Sequence, residues 1–228
     1  AASAAIGMVE MLSHEIKNPL AGIAGAAQLL SMNLSKEDIE LTDLIVGETK
    51  RIVKLLEQVD QFGNLSPPYK RSVNIHDILS KAKKIAKIGF SNNMQIKEDY
   101  DPSLPNTTVD PDQILQVLLN LLKNSCESFL GNDGLITIRT FYDKSLTVIN
   151  DAGEAVAVPL QIEVQDDGPG LPESLISRAF DPFVSGKVSG TGLGLALVSK
   201  IVTEHGGWIT LSSIPGRTVF RISLSVNL

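Results

Sequence analysis

The sequence predicts an α+β protein of two domains: a helical hairpin over residues 1–66, then a mixed domain of helices and strands over residues 67–228. Three observations support this prediction. Apolar residues recur at helical spacing through residues 4–59 without strand-like alternation. Pro67 and Pro68 then form a diproline that no helix continues through. Beyond it, helical stretches alternate with segments of period two, the pattern of half-buried strands.

The first domain is predicted to be two long helices, over residues 4–32 and 39–59, joined by turn-forming residues at 33–36. Each helix would be about 30 residues and so about 45 Å long. Two such helices alone make a thin core. A homodimer that packs two hairpins into a four-helix bundle would complete that core.

The second domain begins with a predicted helix at 74–88 and a strand at 94–100. Asp110 and Pro111 are a strong helix start, since Asp caps the first turn and Pro suits the first helical position. Further strands are predicted after the turn GNDG at 131–134 and at 160–165 and 220–226, where apolar and polar residues alternate. Helices are expected to layer on one face of the resulting sheet. Trp208 and Phe220 are predicted to fill its core.

Composition excludes several classes of protein. The net charge of −6 argues against nucleic-acid binding, and the single cysteine excludes an internal disulfide. No apolar run approaches the roughly 20 residues that a membrane-spanning helix needs. We therefore expect a cytoplasmic protein. Because the sequence opens already in a helical pattern, we also expect it to be a fragment that lacks an upstream sensory domain.

The motif HEIKNPL, at residues 14–20 in the first predicted helix, places His14 beside Glu15. A neutral imidazole oriented by a neighbouring acid can accept a phosphoryl group. The alternative is that both side chains serve only solubility.

The helix after Asp110 carries a polar stripe in the segment NLLKNSCES, in which Asn120, Asn124 and Glu127 share one face. Its leucines occupy the other face. An amide oxygen is a suitable ligand for Mg²⁺, and Lys123 could lie near a phosphate. The alternative is a hydrated helix face.

Two glycine-rich motifs follow. DDGPG at 166–170 presents Asp166 at a strand end, although the motif alone is an ordinary turn. GTGLGL at 190–195 leads into a helix, so its backbone N–H groups could approach an anion closely. Between them, a loop with Phe180, Phe183 and Lys187 is either a lid over that anion or a surface loop anchored by two core phenylalanines.

Taken in order, HEIKNPL, NLLKNSCES, DDGPG, DPF and GTGLGL resemble the five sequence boxes of sensor histidine kinases of two-component systems. The resemblance implies a dimerisation and phosphoacceptor hairpin at 1–66 and a Bergerat (GHKL-type) α/β-sandwich ATP-binding domain at 67–228. Finer features, such as PFVSGKVSGTGLGLALV, resemble the nitrogen-regulation group of these kinases.

The resemblance also implies roles. His14 would be the phosphoacceptor, Glu15 the acid that orients it, and Asn18 an amide that positions water for dephosphorylating the partner regulator. Asp166 would accept a hydrogen bond from adenine, and Asn124 would bind Mg²⁺. The remaining predicted ATP-binding residues are Asn120, Lys123, Gly168, Gly170, Lys187, Gly190, Thr191, Gly192, Leu193 and Gly194.

The implied activity is ATP-dependent phosphorylation of His14, then transfer to an aspartate of a response regulator, of NtrC-like type for the nitrogen-regulation group. Related ATPases commonly carry a catalytic Glu where this chain has Asn120, which disfavours rapid ATP hydrolysis. Ser125 and Cys126 also depart from the small alanines that are more usual there. Two rival functions remain at this point: an ATPase that drives a conformational clamp, and a nucleotide-binding scaffold.

Overall fold

The computed structural model describes residues 2–90, 94–129, 133–149, 153–187 and 190–227, with side chains from residue 15 onward. The chain forms two compact units, Ala1–Ser66 and Pro67–Leu228. We call them the hairpin unit and the sheet unit.

The hairpin unit consists of helices α1 (Ala2–Ser31) and α2 (Lys36–Gly63), which pack along each other. Ser35 caps α2 by accepting a hydrogen bond from the backbone N–H of Asp38. In the described part of the unit, the buried side chains are Leu20, Ala27, Thr42 and Thr49. The core within one hairpin is therefore thin, as the sequence predicts.

The sheet unit contains four helices, α3 (Ile75–Gly89), α4 (Pro111–Ser128), α5 (Glu173–Ile176) and α6 (Gly194–Glu204), within its described residues. Its strands, again among those residues, are β1 (Arg71–Val73), β2 (Met94–Tyr100), β3 (Thr107–Val109), β4 (Gly134–Tyr142), β5 (Thr147–Ile149), β6 (Ala155–Ala157), β7 (Leu160–Asp166), β8 (Trp208–Ile214) and β9 (Arg217–Leu224).

A mixed five-stranded sheet of order β2-β4-β7-β9-β8 is the frame of this unit. β2 and β4 run parallel, and the other neighbours are antiparallel. Ile162 in β7 lies opposite Thr140 in β4 and Ile222 in β9, and all three are at most 2% exposed. α4 packs against α3 and α6, and its apolar face, with Leu118 and Leu121, is fully buried. The unit is thus a layer of helices on a sheet.

Most predicted elements are confirmed. Asp110 caps α4 through hydrogen bonds to the N–H groups of Asp112 and Gln113, and Pro111 is the first helical residue. Phe220 is buried as expected. Residues 131–132 of the predicted turn GNDG at 131–134 lie outside the described residues. None of the helices described here has the length and apolar content that crossing a bilayer requires.

The prediction that Trp208 fills the core is wrong, and one alternative for the loop before GTGLGL, that of two core phenylalanines, does not hold for Phe183. Trp208 is 53% exposed, because its position opposite Ser223 at the end of edge strand β8 leaves only one neighbouring strand to cover it. Phe183 is 69% exposed and adopts a positive φ of 66°, so it does not anchor its loop in the core.

Candidate active site

Asp166 is the last residue of β7 and is 2% exposed. One carboxylate oxygen, Oδ2, accepts a hydrogen bond of 2.9 Å from the hydroxyl of Ser125, and the other, Oδ1, accepts one of 3.1 Å from the backbone N–H of Gly168. Burial raises the pKa of Asp166, and the neighbouring charge of Asp167 adds to this, while the two hydrogen bonds and Lys187 lower it. The carboxylate is therefore a fixed, buried hydrogen-bonding group.

The glycines after Asp166 permit close packing. A Cβ on Gly168 would lie 2.7 Å from the Ser128 hydroxyl oxygen and 2.9 Å from Oδ1 of Asp166. Gly170 has φ of +81°, and a Cβ there would lie 2.9 Å from the backbone carbon of Ile214. The turn can therefore fold back against α4 and β8 only with glycine at these positions.

The motif GTGLGL ends at the first turn of α6, where Leu193 is the N-cap residue and no side chain among the described residues caps the helix. Thr191 accepts a hydrogen bond of 3.4 Å from the N–H of Leu193 through its hydroxyl. The first N–H groups of a helix lack partners within the helix and lie at the positive end of its dipole. This end of α6 is chemically suited to bind an anion such as a phosphate.

The loop before α6 packs directly on this motif. Phe183 donates its backbone N–H to the carbonyl of Gly192 over 3.1 Å, and Gly190 donates to the carbonyl of Lys187 over 3.1 Å. Residues 188–189, which join the two segments, lie outside the described residues. The contacts place Lys187 close to the glycine motif.

Helix α4 contacts all three motifs. Ser125 holds Asp166, and Glu127 pairs through Oε2 with Lys187 over 2.6 Å. The Oδ1 atom of Asn120 lies 3.4 Å from the position that a Cβ on Gly194 would occupy. The predicted adenine, lid and phosphate residues are thus joined to one helix.

The other predicted residues of α4 are partly exposed. Lys123 forms an ion pair of 3.7 Å with Glu127. Asn120 uses its Nδ2 to donate to the carbonyl of Gln116 over 3.0 Å, and with Lys123 it lines a groove of about 240 Å³ along α4. Asn124 is half-buried, and the structure records no hydrogen bond to its side chain among the described residues. Within that part of the chain, nothing competes with a ligand for its amide oxygen.

No group of three or more His, Cys, Asp or Glu side chains in the described parts of the chain could hold a metal ion. A cation here would need most of its ligands from elsewhere. That condition fits Mg²⁺, which keeps several waters and shares phosphate oxygens, better than a metal that requires a protein cage.

Cys126 follows Ser125 on α4 and is partly buried. Burial, with the nearby carboxylate of Glu127, raises the pKa of its thiol to about 11. The thiol therefore stays protonated at neutral pH and is unreactive.

In the hairpin unit, the backbone of His14 lies in α1, but its side chain is outside the described residues. Glu15 and Asn18 are exposed on the same helix, and Asn18 is one turn after His14. A groove of about 390 Å³ begins at Leu20 and runs between α1 and α2.

Two polar residues of the sheet unit were not predicted to have these contacts. In the sequence, Ser125 is only a departure from the usual small alanines, and His205 lies outside all five motifs. His205 is 5% exposed, its Nε2 accepts from the backbone N–H of Asp110 over 3.0 Å, and its Nδ1 donates to the carbonyl of Ile201 over 2.8 Å. These contacts have no local sequence signal. The partners of Ser125 and of His205 Nε2 are distant in the sequence, and the partner of His205 Nδ1 is a backbone carbonyl.

Comparison with known proteins identifies the family. The family described as "Histidine kinase-, DNA gyrase B-, and HSP90-like ATPase" matches residues 109–228, more than half of the chain. The chain belongs to this family. A second match, to the "His Kinase A (phospho-acceptor) domain", covers residues 6–67.

The curated relatives agree with this. The chain is 65% identical over 226 residues to "Sensory histidine kinase/phosphatase NtrB" of Rhodobacter capsulatus, and 46% identical over 225 residues to the protein of the same name from Azospirillum brasilense. These alignments cover 99% and 98% of the chain but 63% and 56% of the relatives. The chain therefore spans less than two thirds of the length of these curated relatives.

Among solved structures, full-length ShkA in complex with AMPPNP has a TM-score of 0.68 and 24% identity, covering 96% of this chain and 45% of that one. This likeness concerns the fold. The predicted resemblance to sensor histidine kinases, and to their nitrogen-regulation group, is confirmed by the family matches and the relatives together.

Proposed function

We propose that this chain is the catalytic part of an ATP-dependent protein-histidine kinase that phosphorylates its own His14. One observation carries the proposal: within the sheet unit, α4 joins a buried carboxylate acceptor, Asp166, to the uncapped N-terminus of α6. In a purine nucleotide, the amino group of the base needs an acceptor such as Asp166, and the phosphates need an anion site such as the start of α6. The phosphoacceptor motif HEIKNPL lies in the same chain.

In the proposed complex, Asp166 accepts a hydrogen bond from the adenine amino group, and Gly168 and Gly170 let the base approach the backbone. The phosphates lie at the start of α6, against the backbone of Gly190, Thr191, Gly192, Leu193 and Gly194. Asn120, Lys123 and Lys187 border this region. The lysines supply positive charge to the phosphates.

We assign Asn124 as the protein ligand of Mg²⁺. Its amide oxygen is half-buried and has no hydrogen-bond partner among the described residues, which fits a cation that takes its other ligands from phosphates and water. When bound, the ion would neutralise charge on the phosphates. The experimental consequence is that chelation of divalent cations stops labelling of the protein.

The chemical step is an in-line displacement. An unprotonated ring nitrogen of His14 attacks the γ-phosphorus, an N–P bond forms, the bond from phosphorus to the bridging oxygen breaks, and ADP leaves. Glu15 orients the ring and takes up its proton. Such transfers depend mainly on positioning and charge neutralisation, which the residues bordering the phosphates would supply.

We further propose that the phosphoryl group passes to an aspartate of a response regulator, of the NtrC-like type, and that Asn18 positions water for the reverse, phosphatase reaction. The name histidine kinase/phosphatase NtrB, borne by the relatives, supports both activities. The groove that begins at Leu20, close to Asn18 in sequence, is a suitable contact surface for that regulator. We place the protein in the cytoplasm.

A homodimer follows from the hairpin unit. Its buried core is thin, and large apolar side chains are exposed along both helices. They include Ile16, Ile23, Leu29, Leu30, Leu41, Leu44, Ile45 and Ile52. Pairing two hairpins into a four-helix bundle with one hydrophobic core covers such faces. We therefore assign residues 1–66 to dimerisation and phosphotransfer and residues 67–228 to ATP binding.

Incubation with Mg²⁺ and γ-labelled ATP tests the proposal. Wild-type protein should retain the label, in an acid-labile form typical of phosphohistidine. His14→Gln should lose it but still bind ATP, whereas Asp166→Asn should lose both. His76→Gln, outside the site, is the matched control and should label normally.

Two outcomes would decide for the rivals. Release of inorganic phosphate without labelled protein would support a clamp-type ATPase. Nucleotide binding with neither label nor release would support a scaffold. If labelling succeeds, transfer from the labelled protein to a panel of receiver domains identifies the regulator.

A further inference from the structure

Ser125 is the side chain of α4 that reaches the end of β7. It is fully buried, and its hydroxyl donates to Oδ2 of Asp166 over 2.9 Å. The partner lies 41 residues further along the chain. The hydroxyl has no path to solvent, so this hydrogen bond fixes its orientation.

The bond restricts the Asp166 carboxylate. An ionised carboxylate offers about four acceptor positions. Ser125 uses one on Oδ2, and the N–H of Gly168 uses one on Oδ1. With one donor on each oxygen, the carboxylate plane cannot rotate without breaking a hydrogen bond. The remaining acceptor positions therefore point in fixed directions.

We propose that Ser125 is a positioning residue for nucleotide recognition, which orients the Asp166 carboxylate toward the purine 6-position and so sets the preference for a 6-amino over a 6-oxo purine. This rests on the proposed binding of ATP by the sheet unit. An amino group donates to the oriented carboxylate, whereas a 6-oxo group places an oxygen acceptor against it. The preference is lost in part when the carboxylate can turn.

The test measures the dissociation constants of ATP and of inosine triphosphate by calorimetry on the intact chain. Inosine triphosphate has an oxygen at the purine 6-position, where ATP has an amino group. Ser125→Ala should bind ATP about tenfold more weakly, the effect of one charge-assisted hydrogen bond, and inosine triphosphate almost unchanged. The preference for ATP should therefore fall about tenfold. In labelling of His14, the KM for ATP should rise while kcat stays constant.

The matched control is Ser223→Ala. Ser223 is also buried, at 1% exposure, and its hydroxyl donates to Gln161 over 2.7 Å, but it contacts no predicted site residue. This variant should keep the wild-type preference. Ser125→Cys, which replaces the hydroxyl by a weaker donor, should give an intermediate preference and serves if the alanine variant does not fold.

Equal weakening of both nucleotides in Ser125→Ala would overturn the inference, since it would indicate only a structural role. So would an unchanged preference. Asp166→Asn separates the two proposals: if wild type prefers ATP and this variant no longer binds it, but Ser125→Ala behaves as wild type, only the present inference fails. If wild type binds neither nucleotide, both fail.

Discussion

The glycine motif before α6 offers a matched pair of substitutions. Gly192 and Gly206, at opposite ends of α6, both have φ of +69°. A Cβ on Gly192 would overlap the backbone of Phe183 and lie 2.7 Å from the carbonyl oxygen of Val184, whereas a Cβ on Gly206 would meet nothing within 4 Å. Replacing each by alanine separates backbone strain from steric overlap.

Gly206→Ala should cost only the strain of positive φ, about 1 kcal/mol. For a unit of this size, that lowers Tm by about 2–4 °C. Gly192→Ala adds the overlap with backbone atoms, which no side-chain rotation relieves, at about 1–3 kcal/mol more. We expect its loss of Tm to be two to four times larger, unless the loop at Phe183 moves away instead.

Nucleotide binding gives a second readout, whose expected result is the same whether the loop stays strained or moves away. In either case the loop and the start of α6 no longer fit together, so Gly192→Ala should bind ATP at least tenfold more weakly, whereas Gly206→Ala should bind it normally. Thermal melts with and without ATP measure both quantities. Equal Tm losses in the two variants, together with unchanged ATP affinity in Gly192→Ala, would refute the reasoning.

Three other predictions concern separate parts of the molecule. Glu127→Gln removes the carboxylate that holds two lysines, so ATP affinity should rise about threefold at low salt by calorimetry; weaker binding would contradict this. Burial lowers the pKa of His205 below its ordinary 6.5, so the unfolded chain gains a proton first and stability is lost as pH falls below about 6.5. Urea unfolding at pH 7.5 and 5.5, followed by the single tryptophan, should show a smaller loss for His205→Gln. Leu44→Glu, on an exposed apolar position of α2, should shift the chain toward monomer in sedimentation, with ATP affinity unchanged.

Local chemistry explains which elements the sequence could predict. Asp110 and Pro111 define the start of α4 by themselves, and alternation of apolar residues predicts β7 and β9. The three-residue strand β1 has no such signal, because it exists only through pairing with β3, where Arg71 lies opposite Val109. Trp208 was misplaced for the same reason: burial at a strand position depends on which strands lie beside it.

The candidate site shows the same difference between residues with a local sequence signal and contacts that depend on the fold. Motifs predicted Asp166 and the glycines, since a carboxylate at a strand end and glycines before a helix are local patterns. The partner of Asp166 could not be predicted, because it is set by how α4 packs across the end of β7. Glu127 was assigned to the polar stripe, but its pairing with Lys187 across 60 residues also depends on the fold.

Helix α6 links the phosphate end of the proposed site to the start of the sheet unit. Its first turn follows the glycine motif, and at its other end His205 accepts the N–H of Asp110. The Asp110 carboxylate in turn accepts the N–H of Tyr69, which directly follows the diproline. A helix of 11 residues is about 16 Å long and stiff. A shift of the chain at Tyr69 therefore acts on the same hydrogen-bonded group that holds the end of α6, so the diproline segment and the glycine motif are connected through rigid contacts within one unit.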